Sequence, residues 1–347
     1  MQVISVANQK GGCGKTTLAV NVSAALAMLG NETLLIDLDP QAHATFAMGF
    51  SQEASERKTF YDVFRTYFSA ADTQFDEIVI TERQRFSFIP SNMMLSAAEI
   101  NLGSVDGAAT ILSRTLSHPY FDRYKYVVID SPPSFGFLTL NSMYAANVIL
   151  VPMDLSHFSF NGINGVYRVR SLLNRETGRN PLVFFALNSY DRRSKYARKI
   201  EQNAENKLGD YLLPTRVRSS VRLREAVGKG KTIFEYAGKS PAALDLFNLT
   251  CELLAAEKKK TNTIMQEFLF HAPEAGAVYI LGDFNDWQKS DAGRMTRLES
   301  GHWSGHVTLK KGKYRYKFLV DDEWIHDPDN RKVESNTFGT HDSILKI

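Results

Sequence analysis

The stretch that most constrains this chain is Lys10-Gly11-Gly12-Cys13-Gly14-Lys15-Thr16-Thr17. An apolar run, Val3-Ile4-Ser5-Val6-Ala7, precedes it and reads as a buried strand; Leu18 to Ala27 follow with helical periodicity. A glycine-rich turn between strand and helix lets backbone N–H groups converge on phosphate oxygens, and the helix start adds the positive end of its dipole. In such a loop Lys15 reaches the β- and γ-phosphates, and the Thr16 hydroxyl ligates Mg²⁺. Gly11, Gly12, Cys13, Gly14 and Thr17 complete the cradle, with Cys13 a small filler at its variable position.

Two later strands end in acids. Leu34-Leu35-Ile36 runs into Asp37 and Asp39, whose i, i+2 spacing points both carboxylates the same way along a strand. Val127-Val128-Ile129 runs into Asp130, the arrangement that holds a carboxylate where it binds Mg²⁺ through water. Ligands of parallel sheets sit at such strand ends. A third apolar run, Leu182 to Leu187, ends in Asn188, an amide that either caps a turn or meets an adenine edge as donor and acceptor at once. Strands alternating with helical stretches predict an α/β fold with a doubly wound, mostly parallel sheet.

The loop departs from G-x-x-x-x-G-K-[ST], because Gln9 occupies the place of the first glycine. Its form, K-G-G-x-G-K-T-T, together with Asp37-Leu38-Asp39-Pro40-Gln41 and Asp130-Ser131-Pro132-Pro133, resembles the deviant Walker A ATPases of the ParA/MinD family. The resemblance covers residues 1–257. It implies a P-loop NTPase that takes ATP and Mg²⁺ and hydrolyses ATP slowly, as a switch. Lys10 would cross a homodimer interface to the partner's nucleotide. Asp39 would orient the attacking water, with Lys10, Lys15 and Asp39 the catalytic set. Thr16, Asp37 and Asp130 would serve the metal, and Asn188 the adenine base. A stimulating adaptor protein and a cytoplasmic, nucleoid-associated location follow from the same resemblance. A reductase of the nitrogenase-iron-protein kind shares the loop but needs cluster-ligating cysteines, and neither Cys13 nor Cys251 is placed for that.

The formal net charge is only +3, yet residues 191–231 carry twelve Lys and Arg against five Asp and Glu. The basic residues read as clustered without interspersed acids, which favours a phosphate-backbone surface over a salt-bridged helix. Pro214 to Ile233 also resembles the family's region near nonspecific DNA contacts. Arg192, Arg193, Arg216, Arg218, Arg222, Arg224, Lys229 and Lys231 are the DNA candidates. No apolar run approaches the ~20 residues of a membrane span, so no membrane partner is expected.

A polar stretch at 258–264 reads as a linker, after which short alternating strands separated by turns predict a small all-β, immunoglobulin-like sandwich over 265–347. Gly282-Asp283-Phe284-Asn285-Asp286-Trp287, Tyr316-Lys317-Phe318 and Glu323-Trp324-Ile325-His326-Asp327-Pro328 resemble the glycogen-binding module of AMP-activated kinase β subunits and branching enzymes. The resemblance puts Trp287 and Trp324 at the sugar-stacking positions and Lys317 at a sugar-binding one. Phe338 takes the place of an apolar residue that packs on the glucan, and Thr340 and Asp342 fall on polar contact positions. Trp303 reads as a packing residue. Three functions follow as expectations: an ATP-dependent positioning ATPase that binds DNA nonspecifically and carries an α-glucan module; a partition ATPase whose added module binds a protein; and a glucan-binding scaffold with nucleotide-controlled dimerisation and no DNA role.

Overall fold

The computed structural model describes residues 1–50, 58–68, 74–103, 105–134, 136–154, 159–190, 194–260, 263–298, 301–310 and 312–347. The chain divides into two compact units, Met1–Ala256 and Glu257–Ile347.

Among the described residues the first unit has seven strands: β1 (Gln2–Val6), β2 (Thr33–Asp37), β3 (Ile80–Arg83), β4 (Phe86–Ile89), β5 (Tyr126–Asp130), β6 (Val148–Met153) and β7 (Leu182–Leu187). Their order across the sheet is β3-β4-β2-β5-β1-β6-β7. Six strands run parallel, and β3 lies antiparallel to β4 at one edge. Residues of β2, β4, β5 and β6 are buried throughout, as parallel strands covered on both faces must be. Alternation along β1 sends Ile4 and Val6 into one core and Val3 into another. On the first face, Leu18, Val22 and Leu26 of helix Lys15–Met28 pack with Leu246, Leu249 and Leu253 of helix Pro241–Lys260. On the other, Leu95, Ala98 and Leu102 of helix Met94–Leu102 join Leu138 of helix Phe137–Ala145.

The second unit holds β8 (Thr263–His271), β9 (Val278–Gly282), β10 (Thr296–Arg297), β11 (His302–Lys310), β12 (Lys313–Val320), β13 (Glu323–Ile325), β14 (Val333–Ser335) and β15 (His341–Lys346). They form two antiparallel sheets, β10-β11-β8 and β13-β12-β15-β14, with β9 also paired to β12. Phe268, Phe270 and Trp303 from the first sheet meet Val278, Ile280, Tyr316 and Phe318 from the second. Trp303 is buried, and its Nε1 donates to the Ala272 carbonyl at 2.9 Å, so it packs as its sequence setting suggests.

The linker expected at 258–264 is corrected by this geometry. The helix continues through Lys260 and β8 begins at Thr263. Lysines are good helix formers, and a lysine run at a helix C-terminus meets the favourable end of the dipole. A polar, aperiodic stretch there extends a helix rather than ending it.

Phe318 is fully buried at the centre of the second core. Replacing it with Ala should cost about 3–5 kcal/mol. All three tryptophans, Trp287, Trp303 and Trp324, lie in this unit. Urea denaturation followed by tryptophan fluorescence should therefore show the loss as a lowered midpoint; an unchanged midpoint would mean the second core is not organised around this ring.

Candidate functional site

The loop after β1 turns through Gly12 (φ 73°) and Gly14 (φ 93°), both in the left-handed region that glycine adopts without strain. A Cβ at Gly14 would sit 1.8 Å from Asn188 Nδ2, so no other residue fits there. A Cβ at Gly11 or Gly12 would meet nothing within 4 Å, so this side of the loop faces open space. Gly14 caps the following helix without any side-chain hydrogen bond, leaving first-turn N–H groups available to an anion. Lys15 is buried and folded back, its Nζ donating to the Lys10 carbonyl at 2.9 Å. The Cys13 thiol is buried and donates to the same carbonyl at 3.2 Å; burial holds its pKa up, as suits a filler.

Strand register brings the acids to this loop. Asp37 of β2 pairs with Asp130 of β5, and Asp130 pairs with Val6 of β1. Both carboxylates therefore end their strands at one level beside the phosphate loop. Asp37 is saturated: its Oδ2 accepts from the Thr45 N–H and hydroxyl, each at 2.8 Å, and its Oδ1 from the Asp39 N–H at 3.0 Å. Asp130 is the opposite case. Both its carboxylate oxygens are buried with no hydrogen-bond partner among the described residues. Burial first, and then the Asp37 charge, push its pKa well above the usual carboxylate range, while Thr16 and Lys15 oppose the shift. Burial likewise raises Asp37 against its hydrogen bonds. A buried, unpaired carboxylate facing a phosphate cradle suits a hard cation whose remaining ligands are phosphate and water. Among the described residues no three His, Cys, Asp or Glu side chains group as a self-sufficient metal cage.

Asp39 is buried with Oδ1 accepting from the Gln41 N–H at 2.9 Å. Its carbonyl accepts from the Ser91 hydroxyl at 2.6 Å, and the Ser91 N–H donates to the Thr45 hydroxyl at 2.9 Å. Thr45 and Ser91 thus brace the two-acid strand end. Sequence reading passed over Thr45, which stands in a five-residue helix, His43–Ala47, too short to announce itself. It also missed Asp154, which follows β6 directly and ion-pairs with Lys10. The rule that found Asp37 and Asp130, an acid closing an apolar strand, would have found Asp154 too. Asn188 reaches the loop from the end of β7, its Nδ2 donating to the Cys13 carbonyl at 2.9 Å.

The basic segment differs from its expectation. Acids of the stretch itself, and Asp245 beyond it, engage several of these arginines. Arg216 bonds Glu201 at 2.8 Å and Glu205 at 2.6 Å, and Arg218 grips Asp245 with two nitrogens at 2.6 and 2.8 Å. Arg222 pairs with Glu225 one helical turn on, at 3.0 Å. Arg224, Lys229 and Lys231 are exposed and pair with no carboxylate among the described residues. Arg192 and Arg193 lie outside the described residues.

In the second unit, alternation along β12 turns Tyr316 and Phe318 inward and Lys317 and Leu319 onto the opposite face. Register adds Trp324, opposite Leu319, to that outer face. Trp324 is half exposed and Trp287 partly so, with ring centroids 5.9 Å apart and planes at 51°. Phe338 is 87% exposed. Lys317 and Asp342 are buried; Lys317 Nζ donates to the Thr340 hydroxyl at 2.7 Å and lies 3.4 Å from Asp342 Oδ1. Asn336, absent from the sequence-based set, donates to Asp342 Oδ1 at 2.7 Å and to the Thr340 hydroxyl at 2.8 Å. Asp342 therefore serves first to hold Lys317 and Asn336 in place.

Comparison with known proteins follows this division. A family model described as an AAA domain matches residues 1–181, and the model for the glycogen recognition site of AMP-activated protein kinase matches residues 267–347. The chromosome partitioning protein ParA of Caulobacter vibrioides is 32% identical over 265 residues, 75% of this chain and 96% of that protein. The sporulation initiation inhibitor protein Soj of Bacillus subtilis is 30% identical over 255 residues, 73% of this chain and 98% of Soj. A solved cobyrinic acid a,c-diamide synthase from Mycobacterium smegmatis, with ADP and magnesium bound, is 26% identical with a TM-score of 0.62, over 74% of this chain and 96% of that one.

Asp130→Asn should stabilise the nucleotide-free protein by about 1–3 kcal/mol, because it replaces a buried unpaired carboxylate by a neutral group. The same variant should lose the thermal stabilisation that Mg²⁺ and a nucleotide triphosphate confer. Differential scanning calorimetry with and without the ligands checks both; a variant that melts lower without ligand would contradict this account of the site.

Proposed function

Because this chain belongs to the ParA/Soj family of P-loop ATPases, we propose that it is an ATP-gated positioning protein whose C-terminal module carries it to an α-glucan. The observation that carries the reading is the pairing, in one chain, of a phosphate loop beside the orphaned Asp130 oxygens with an outward sheet face bearing two tryptophans.

ATP is held by the amides of Gly11 to Thr17 and by Lys15, which leaves the Lys10 carbonyl for the phosphates. Thr16 and Asp130 hold Mg²⁺, with Asp37 in its outer shell. The cation neutralises phosphate charge. Asp39, braced by Ser91 and Thr45, orients the attacking water. Asn188 meets the base with the part of its amide that Cys13 leaves free. Lys10 exchanges its bond to Asp154 for the partner subunit's nucleotide, which couples ATP to dimer formation. Hydrolysis then ends the DNA-bound state, a slow switch set off by an adaptor protein.

DNA contact rests on Arg224, Lys229 and Lys231, with Arg222 able to exchange its exposed acid for a phosphate. Arg216 and Arg218 serve the fold. With ATP and Mg²⁺, the full-length protein should be retained on mixed-sequence DNA, and retention should fall steeply with salt. The triple variant R224A/K229A/K231A should weaken retention on every sequence and flatten the log–log salt slope by ~3. Absence of ATP-dependent retention in the parent would sink the DNA half of the reading. The second reading, a glucan-binding scaffold without a DNA role, then takes its place; its support is the number of candidate arginines already engaged by acids.

For the module, calorimetry of the full-length protein with a soluble α-1,4-glucan should give saturable binding that W287A and W324A each abolish. A flat titration from folded protein would turn this face into a protein-docking surface.

A further inference from the structure

Among the described residues of the second unit, every non-glycine residue in the left-handed region lies in one of two turns. Asp286 (φ 52°) and Trp287 (φ 59°) follow β9, and Asp321 (φ 45°) and Asp322 (φ 72°) join β12 to β13. Such backbone is costly for a residue with a Cβ, and it persists where the surroundings over-determine it. Each turn delivers one of the exposed indoles: Trp287 is within the first, and Trp324 lies two residues past the second.

The bonds that hold these turns are specific. In the first, Asp283 Oδ1 accepts from Trp287 Nε1 at 3.1 Å while Oδ2 accepts from the Arg315 N–H at 2.8 Å, fixing the indole to β12. In the second, the Asp321 carboxylate accepts from the Gly276 and Ala277 N–H groups at 2.8–3.1 Å. One side chain then joins turn to turn. Lys289, two residues after Trp287, donates to Asp322 Oδ1 at 2.6 Å, and its ammonium sits 5.0 Å from the Tyr279 ring centroid.

We propose that the Lys289–Asp322 pair is a clamp that sets the angle between the Trp287 and Trp324 rings before a sugar arrives, and so selects a curved α-1,4-glucan over a flat β-1,4 chain. This rests on the glucan-binding reading above. Two indoles inclined at 51° offer an angled platform that a helical chain of glucose follows, whereas a ribbon-like chain is met by coplanar rings. The pair is exposed, 47% and 81% for the two side chains, so it contributes little to folding. Its consequence is preorganisation: rings already at their binding angle lose less freedom when ligand docks. A carboxylate is kept at Asp322, where glycine would relieve the backbone.

The test uses full-length protein, calorimetry with a soluble α-1,4-glucan and with a β-1,4-glucan oligomer, and salt varied from 0.05 M to 1 M. Both ligands are uncharged, so salt acts only through the protein's own exposed ion pairs. Parent protein should bind the α-glucan more weakly at high salt. K289A, D322N and D322G should bind it about two- to fivefold more weakly at low salt, show a smaller salt dependence than the parent, and discriminate less between the two glucans. D322G should melt at or above the parent's temperature, which separates a lost clamp from a lost fold. If the parent binds the α-glucan but the variants match it, or parent binding ignores salt, the clamp is wrong and the glucan reading stands. If folded parent protein binds neither glucan, the glucan reading fails and takes the clamp with it.

Discussion

Two carboxylates forced to one level at the end of a buried parallel sheet govern the nucleotide site. Asp37 and Asp130 are register partners on β2 and β5, and both are buried. The chain resolves the conflict unequally. Among the described residues Asp37 receives three hydrogen bonds, from Thr45 and Asp39, and Asp130 receives none. A fold does not leave a buried carboxylate in that condition for stability's sake, since an unpaired charge in a low-dielectric setting is among the costliest features a core holds. The phosphate loop beside it, with open glycines and an uncapped helix start, supplies the missing half of the explanation.

The rest of the first unit follows from holding those acids in place. Strands buried on both faces fix their register through packing, because a one-residue slip would send each side chain into the opposite core. Thr45 and Ser91 convert that rigidity into side-chain positions by tying the Asp37 carboxylate and the Asp39 carbonyl into one buried network. Lys10 stands on the rim, held by Asp154. Both side chains of that pair are partly exposed, where an ion pair contributes little to stability.

The second unit uses a different economy. Its core is a conventional meeting of aromatic rings, while outside that core stand a Lys317–Asp342–Asn336 network and the exposed rings of Trp324 and Phe338. Strain is confined to the two turns that aim the tryptophans.

Sequence by itself determined the elements and most of the chemistry-bearing residues. Period-two and period-3.6 patterns located the strands and helices, the glycines marked the loop, and acids closing apolar runs marked Asp37 and Asp130. Those signals are local, and local physics dictates them. Tertiary structure decided what depends on distance. Residues 191–231 look unopposed as a string, yet Glu201, Glu205 and Asp245 reach Arg216 and Arg218 once the helices pack, so charge counted along the chain overstates the charge left for a partner. Asn336 and Thr45 carry no motif and acquire meaning only from what folding sets beside them. The lysine run at 258–260 shows the converse, since polarity without periodicity suggested a linker where the backbone continues a helix. Composition specifies which groups are available; only the fold decides which of them are already spent on one another.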